Sequence, residues 1–327
     1  MRTRVLGRDL TVSAVGYGCM GLSHAYGPAI PEDEAVRIIR RAVELGYTLF
    51  DTAECYTGTF ADGTESNNER IVGEALAPVR DQVVIATKFG VAHHGTTLTV
   101  DSSPETIRRS VDGSLRRLGV ETIDLYYQHR IDPRVEPETV AGVMGELIAA
   151  GKIRHWGISE TDETYLRRAH AVCPVTAIQN RYSMMARWHE PLFDVCDELG
   201  VGFVAFSPMA NGFLSTAFHA GQRFADGDFR NTMPQYAAGS DERNRALLAL
   251  LRDLAAAHDA TPAQLSMAWM IDKRPWIVPI PGTRNETRLA ENAGAADLCL
   301  SPDEVASIDA VLDGVDMSAV FGGHAVH

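Results

Sequence analysis

The sequence has no long apolar run, since no stretch approaches the roughly 20 residues that a helix needs to span a bilayer. Two arginines near the start have no apolar segment behind them, so we expect no signal peptide and a cytoplasmic protein. Positive charge is also scarce, because 30 Lys and Arg face 43 Asp and Glu, for a net charge of −13. Without a dense basic cluster, we expect neither a nucleic acid nor a membrane as partner.

Cysteine is sparse as well, with five scattered residues, no CxxC pair and no Cys/His cluster. The odd number and the wide spacing indicate free thiols in a reducing compartment and argue against a disulfide framework or structural zinc. His93 and His94 lack a carboxylate at ligand spacing, so no metal is expected there. Cys55 is interpreted as a small packing residue.

Apolar runs typical of buried strands alternate with amphipathic stretches along the chain. The predicted strands are Val15–Cys19, Thr48–Asp51, Val83–Lys88, Thr122–His129, Ile153–Ser159, Val175–Gln179, Val201–Ser207 and Trp276–Ile280. Alternation with helices predicts parallel strands joined by crossovers. A doubly wound open sheet and a closed barrel both satisfy this pattern, and the count of eight favours an α/β fold of the (β/α)8 TIM barrel type.

The predicted helices are Asp33–Leu45, one beginning after Ser103, Pro137–Ala150, Asp162–Val172, His189–Leu199, Arg243–His258, and two beginning after Thr261 and Ser301. An N-terminal β-hairpin, Thr3–Leu6 with Thr11–Val15, is expected to precede the barrel. The long segment Pro208–Asp241 after strand seven is predicted to be an irregular loop over the site. No linker divides the chain, so residues 1–327 are predicted to form a single barrel domain.

Gly16, Gly18 and Gly21 match the pattern GxGxxG after a predicted strand. In a Rossmann site the third glycine opens a helix whose N terminus meets a pyrophosphate. Here the next residues, Leu-Ser-His-Ala-Tyr-Gly-Pro, do not begin a helix. A tight turn at the end of the first strand is therefore the favoured interpretation.

Polar residues follow three successive predicted strands, at the ends that meet on one face of a parallel barrel. Asp51 and Tyr56 follow the second strand, Lys88 ends the third, and His129 ends the fourth. Because a buried lysine needs a counter-charge, Asp51 is the expected partner of Lys88. The ammonium is expected to lower the pKa of Tyr56, making the phenol a proton donor near neutral pH, with His129 as a second donor. Each residue alone fits a structural role, but together they suit protonation of a carbonyl oxygen while hydride reaches its carbon.

Several segments resemble motifs of the aldo-keto reductases, in the order in which that family has them. They are FDTAECY at 50–56, VIATKFG at 84–90, IDLYYQH at 123–129, GKIRHWGIS at 151–159 and VPIPGT at 278–283. The resemblance spans about residues 3–312 and is nearest to the monomeric bacterial and plant branch. It implies NADPH-dependent reduction of an aldehyde or ketone. Tyr56 would be the general acid, Lys88 and Asp51 its tuning pair, and His129 the group that orients the carbonyl.

The resemblance also implies the cofactor contacts. Ser159 and Gln179 match positions that hold the nicotinamide carboxamide, and Phe206 stands where a Tyr or Trp usually stacks on the ring. Arg288, assisted by Arg284, matches the position that contacts the adenosine 2′-phosphate at a helix N terminus, which favours NADPH over NADH. The other implied contacts are Gly18, Cys19, Met20, Asp51, Ser207, Pro208, Met209, Asn211, Gly282, Thr283, Glu291 and Asn292.

Some alternatives stay open. Asn211 stands where many relatives have an Arg, which leaves one contact to the pyrophosphate undecided. Gly282 stands where some relatives have a Lys, which leaves a strict preference for NADPH over NADH undecided. Lys88 could be the nucleophile of a Schiff-base lyase, although Asp51 would keep it charged. A non-catalytic subunit that senses NADPH could use the same fold, although the retained Tyr and His argue against it. The substrate is open, and a monomer or a homo-oligomer is possible.

Overall fold

The computed structural model describes residues 1–94, 97–215 and 217–313. Its strands are β1 (Thr3–Leu6), β2 (Leu10–Ser13), β3 (Tyr17–Gly18), β4 (Leu49–Asp51), β5 (Thr57–Thr59), β6 (Glu65–Asn67), β7 (Val84–Phe89), β8 (Val91–His94), β9 (Thr97–Val100), β10 (Ile123–Gln128), β11 (Ile153–Ser159), β12 (Ala177–Arg181), β13 (Gly202–Phe206) and β14 (Ile277–Pro279). Eight of them form one parallel sheet in the order β14-β13-β12-β11-β10-β7-β4-β3. These eight correspond to the eight predicted strands, and no end differs by more than two residues.

Backbone hydrogen bonds between the first and last strands of the sheet close it into a barrel. Gly16 N donates to Pro279 O at 2.9 Å, and Gly18 N donates to Pro281 O at 3.2 Å. An open doubly wound sheet has no such contact between its outer strands. The prediction of a (β/α)8 barrel is therefore confirmed, and the doubly wound alternative is wrong.

The helices cover the outside of the barrel. They are α1 (Glu32–Glu44), α2 (Asn68–Leu76), α3 (Pro104–Leu118), α4 (Pro137–Ala149), α5 (Glu163–Val172), α6 (Leu192–Leu199), α7 (Ser240–Arg243), α8 (Arg245–Ala257), α9 (Pro262–Lys273), α10 (Glu286–Gly294) and α11 (Pro302–Asp313). The Ser103 hydroxyl accepts from Thr106 N, and Thr261 with Gln264 forms a full capping box. These caps satisfy backbone N–H groups that the first helical turn leaves free, so they set where α3 and α9 begin.

The N-terminal hairpin, β1 with β2, closes the end of the barrel where the strands begin. Leu6, Leu10 and Val12 belong to the same buried cluster as interior residues such as Leu125 and Val204. This apolar plug leaves the opposite end, at the carboxyl ends of the strands, as the face available for chemistry.

Among the helices and strands, α2, α7, the hairpin of β5 with β6 and the hairpin of β8 with β9 were not predicted from the sequence. The GxGxxG segment forms β3 and then a 3-10 helix, Cys19–Leu22, so the tight-turn interpretation is confirmed.

Within the described residues no helix is both long and apolar enough to cross a membrane. The single domain at 1–327 stays a prediction, and 314–327 lie outside the described residues.

The segment after β13 is long and mostly irregular, as predicted, with short 3-10 helices at Ala210–Ser215, Phe229–Thr232 and Pro234–Tyr236. It is joined to the loop after β3 by a β-bridge between Tyr26 and Asp228. The Arg230 guanidinium lies 5.1 Å from the Tyr26 ring and forms an ion pair with Asp228 at 2.6 Å. The two segments therefore lie together over the carboxyl end of the barrel.

Candidate active site

Lys88 is fully buried at the end of β7, and its ammonium group is held by three oxygen acceptors. Its Nζ lies 2.5 Å from Asp51 Oδ1, 2.7 Å from Thr52 O and 3.4 Å from Tyr56 Oη. Strands β4 and β7 are neighbours, with Asp51 opposite Ala86, so the barrel register brings Asp51 and Lys88 together. Burial alone would lower the pKa of Lys88, but the Asp51 carboxylate raises it, so the ammonium stays charged.

The pKa of Tyr56 differs from the expectation. Its phenol is buried, and this burial raises the pKa of Tyr56 to about 12, although the Lys88 ammonium acts in the opposite direction. The prediction that Lys88 lowers the pKa of Tyr56 below its ordinary value is therefore wrong, because removal of the phenolate from water outweighs the attraction of the ammonium. Tyr56 is a protonated hydrogen-bond donor at neutral pH.

His129 lies beside Tyr56, with the two ring centroids 5.7 Å apart and the planes at 83°. Burial lowers the pKa of His129 well below its ordinary value, and the nearby charges of Arg130 and Lys88 lower it further. The imidazole is therefore neutral and carries a single N–H. Its Nδ1 is 3.5 Å from the sulfur of Cys55, a contact that the interpretation of Cys55 as a packing residue missed.

A cavity of about 750 Å³ opens at this end of the barrel. It is lined by nearly all the residues singled out from the sequence: Gly18, Met20, Asp51, Tyr56, His129, Ser159, Gln179, Phe206, Ser207, Pro208, Met209, Asn211, Gly282, Thr283, Arg284, Arg288, Glu291 and Asn292. Lys88 and Cys19 lie behind the wall instead. Cys19 is buried, with its sulfur 3.7 Å from Tyr17 O.

One part of the cavity runs past β11 and β12, where residues singled out from the sequence contact Asp51 and Arg130. Gln179 Nε2 donates to Asp51 Oδ2 at 2.7 Å, and Arg130 donates to the Ser159 hydroxyl at 3.1 Å. The Phe206 ring lies beside them, with the Arg130 guanidinium 6.0 Å from its centroid. A flat aromatic ring and side-chain amide and hydroxyl groups thus line the same cavity as Tyr56, and the amide contacts Asp51.

The other part of the cavity reaches the N terminus of α10, where positive charge is concentrated. Asn285 caps this helix by accepting from Arg288 N, and Arg288 pairs with Glu291 at 2.5 Å. Arg284 is half-buried, and its Nη2 is one of the buried polar atoms without a hydrogen-bond partner among the described residues; Asn211 Oδ1 is another. Guanidinium groups and a helix N terminus are suited to bind phosphate.

Several cavity residues were missed from the sequence. Arg130 directly follows His129, and Arg181 ends β12, so the strand-end argument could have found both. His24 stacks on the Tyr56 ring at 5.8 Å and lies 5.0 Å from the His93 ring. His93 lies in β8, and neither histidine had a sequence signal that pointed to the site.

Comparisons with known proteins agree with this architecture. The sequence profile of the Aldo/keto reductase family matches residues 14–313. A probable aldo-keto reductase 1 from Glycine max is 37% identical over 319 residues, which cover 95% of this chain and 88% of that protein. A glycerol dehydrogenase from Gluconobacter oxydans has a TM-score of 0.83 at 26% identity, with 99% of this chain and 97% of that chain covered.

An aldo/keto reductase from Klebsiella pneumoniae, solved in complex with NADP and acetate, has a TM-score of 0.70 at 27% identity, with 95% of this chain and 96% of that chain covered. The profile match spans most of the sequence, and the soybean relative covers nearly all of it. The chain therefore belongs to the aldo/keto reductase family, whose members are oxidoreductases that generally carry out NADP-dependent carbonyl reduction.

Proposed function

We propose that this protein reduces an aldehyde or a ketone to an alcohol with NADPH, and that Tyr56 is the proton donor. The observation that carries the proposal is the hydrogen-bonded chain from Asp51 through Lys88 to Tyr56, at the floor of the cavity described above. A neutral His129 lies beside the phenol. Two hydrogen-bond donors at the end of a barrel suit one carbonyl oxygen that gains negative charge.

The cavity residues fit a dinucleotide. We propose that Ser159 and Gln179 hold the carboxamide, that Phe206 stacks on the nicotinamide, and that Arg284 and Arg288 hold the 2′-phosphate. The unpaired, buried Nη2 of Arg284 supports this assignment, since a buried donor without an acceptor is costly unless a ligand supplies one. Bound NADPH would supply the hydride.

The remaining implied contacts belong to the same proposal. They are Gly18, Met20, Asp51, Ser207, Pro208, Met209, Asn211, Gly282, Thr283, Glu291 and Asn292, whereas Cys19 is buried behind the cavity wall and is not proposed as a contact. In place of the Arg that many relatives have, Asn211 donates from Nδ2 to the Tyr26 hydroxyl at 3.0 Å. The neighbouring Arg230 also lines the cavity, with its guanidinium paired to Asp228 at 2.6 Å.

Tyr56 hands its hydroxyl proton to the carbonyl oxygen as that oxygen becomes an alkoxide. An alkoxide is a stronger base than a phenolate, so a phenol with a pKa of about 12 still transfers its proton downhill. The ammonium of Lys88, 3.4 Å from Tyr56 Oη, stabilises the phenolate that is left behind. Asp51 keeps that ammonium charged and in place.

The two other functions have less support. A Schiff-base lyase needs a neutral amine, whereas Lys88 is held as an ammonium by Asp51 at 2.5 Å. A non-catalytic sensor of NADPH would not need a proton donor beside the cofactor site. Tyr56 and His129 both face the cavity, which favours the enzyme.

The test is the Tyr56→Phe variant, which removes the hydroxyl and keeps the ring. We expect reduction of 4-nitrobenzaldehyde to fall by about 100- to 10,000-fold, while NADPH binding, followed by fluorescence, changes little. Tyr165→Phe is the matched control, because Tyr165 is a buried tyrosine whose hydroxyl donates to Gln128 outside the cavity. Unchanged turnover in Tyr56→Phe would contradict the role of Tyr56, and tight NADPH binding without turnover of any carbonyl by the wild type would favour the sensor.

A further inference from the structure

Cys55 contacts His129 from behind the cavity wall. Its sulfur is 3.5 Å from His129 Nδ1, a hydrogen-bonding distance for a sulfur atom, and the contact is buried. His129 lines the cavity, whereas Cys55 does not. The imidazole therefore turns Nδ1 toward the wall, and its other ring nitrogen, Nε2, lies on the opposite side of the ring.

The protonation of both groups follows from their burial. Burial raises the pKa of the Cys55 thiol to about 12, so the sulfur carries its proton and can donate it. The His129 imidazole is neutral, so one ring nitrogen carries a proton and the other carries a lone pair. Which nitrogen carries the proton is set by the hydrogen bond that the other nitrogen makes.

We propose that Cys55 is a positioning residue that fixes the tautomer of His129, by donating its S–H to Nδ1 and so keeping the imidazole proton on Nε2. A thiol is a weak donor and a weak acceptor, whereas the lone pair of a neutral imidazole nitrogen is a strong acceptor, so the buried pair is satisfied best when Nδ1 accepts. The reverse tautomer would direct a lone pair, not a proton, toward the cavity.

This inference rests on the proposed function, because the tautomer matters when His129 donates to a carbonyl oxygen. With the proton on Nε2, His129 and Tyr56 both donate to the oxygen that gains negative charge. With the proton on Nδ1, the Nε2 lone pair would repel the same oxygen. The thiol itself takes no part in the reaction and stays protonated throughout.

The first test is kinetic. Cys55→Ala removes the donor, and we expect kcat for aldehyde reduction to fall by roughly tenfold with a smaller change in KM, which is the effect of one neutral hydrogen bond. Cys55→Ser restores a donor of similar size, and we expect it to recover kcat to within about threefold of the wild type. An equal loss of kcat in the Ala and Ser variants would overturn the proposal, because it would indicate packing alone.

Cys196→Ala is the matched control for loss of a buried thiol. Cys196 is buried on α6, and it borders a surface pocket together with Thr3 and Val5 of the N-terminal hairpin, at the other end of the barrel. We expect its kcat to equal that of the wild type. A loss comparable to that of Cys55→Ala would show a general effect of thiol removal and overturn the proposal.

The second test reads the tautomer directly, by long-range proton–nitrogen NMR on protein labelled with ¹⁵N-histidine. His129→Asn assigns the signals. We expect Nε2 to be protonated and Nδ1 to be an acceptor in the wild type, with the Nδ1 signal changed in Cys55→Ala and restored in Cys55→Ser. A protonated Nδ1 in the wild type, or an unchanged Nδ1 in Cys55→Ala, would overturn the proposal. This experiment needs no substrate, so it decides the tautomer even if the wild type reduces no carbonyl and the proposed function fails.

Discussion

Removal of the Lys88 ammonium tests the buried charges beneath the phenol. Lys88→Met deletes the donor to Asp51 and to Thr52 O and leaves the Asp51 carboxylate, 4% exposed, with Gln179 Nε2 at 2.7 Å. Breaking a buried ion pair by removing one partner costs about 3–5 kcal/mol. We therefore expect the free energy of unfolding to fall by that amount, together with loss of carbonyl reduction.

The magnitude is tested by a double-mutant cycle in urea unfolding followed by circular dichroism. Asp51→Asn alone leaves a buried ammonium, whereas Asp51→Asn with Lys88→Met leaves no buried charge at this position. The double variant should therefore lose at least about 2 kcal/mol less than the sum of the two single variants. If the double variant loses as much free energy of unfolding as the two single variants together, the two charges are not coupled and the reasoning is refuted.

Lys152 and Asp112 provide the matched control. Their N–O distance is also 2.5 Å, but the side chains are 38% and 44% exposed. Exposed ion pairs contribute less than about 1 kcal/mol, so Lys152→Met should lower the free energy of unfolding by no more than that. A loss as large as that of Lys88→Met would show that burial is not what makes the Asp51–Lys88 pair important.

Three further predictions follow from distances and burial. Because the pKa of Tyr56 is about 12, the rate of reduction should not fall between about pH 7 and pH 10, whereas a phenol acidified by the ammonium would give a fall centred at about pH 8–9 in a steady-state pH profile. Arg288→Ala should raise KM for NADPH by about ten- to a hundredfold and change KM for NADH by less than about threefold, and equal effects on both would contradict a 2′-phosphate contact. Gly73→Ala in α2 should lower the free energy of unfolding by about 1–3 kcal/mol, because a Cβ there would lie 2.2 Å from Leu118 O. Gly142→Ala in α4 should raise the free energy of unfolding by about 0.5–1 kcal/mol, because a Cβ there would meet open space. If thermal unfolding gave a change of the same sign for both variants, the argument would be refuted.

Much of the barrel could be predicted from the sequence because its strands are buried on both faces and therefore form compact apolar runs. The predicted strand Ile153–Ser159 has the same bounds as β11. The first strand was predicted too long, since only Tyr17–Gly18 pairs with β4 before the chain turns into a 3-10 helix. The hairpin of β8 with β9 was missed because the strands sought were compact apolar runs, whereas three of the four residues of β9, Thr97–Val100, are exposed.

The candidate site could be assembled from the sequence because the carboxyl ends of parallel strands converge, which brings Asp51, Lys88 and His129 together. The sign of the pKa shift at Tyr56 could not be predicted. Sequence identifies the neighbouring ammonium, but the degree of burial, which dominates, depends on segments distant in the chain. The contact of Cys55 with His129 was missed for the same reason, since it joins residues separated by 74 positions.

The most direct test of the account follows the hydride and the proton donor in one experiment. Reduction of 4-nitrobenzaldehyde with NADPH deuterated at the transferable position of the nicotinamide should give an alcohol that carries deuterium on its benzylic carbon, as read by mass spectrometry. Tyr56→Phe should bind the labelled NADPH and give almost no labelled alcohol. Transfer by Tyr56→Phe at the wild-type rate, or no transfer to any carbonyl by wild-type protein that binds NADPH, would contradict the account.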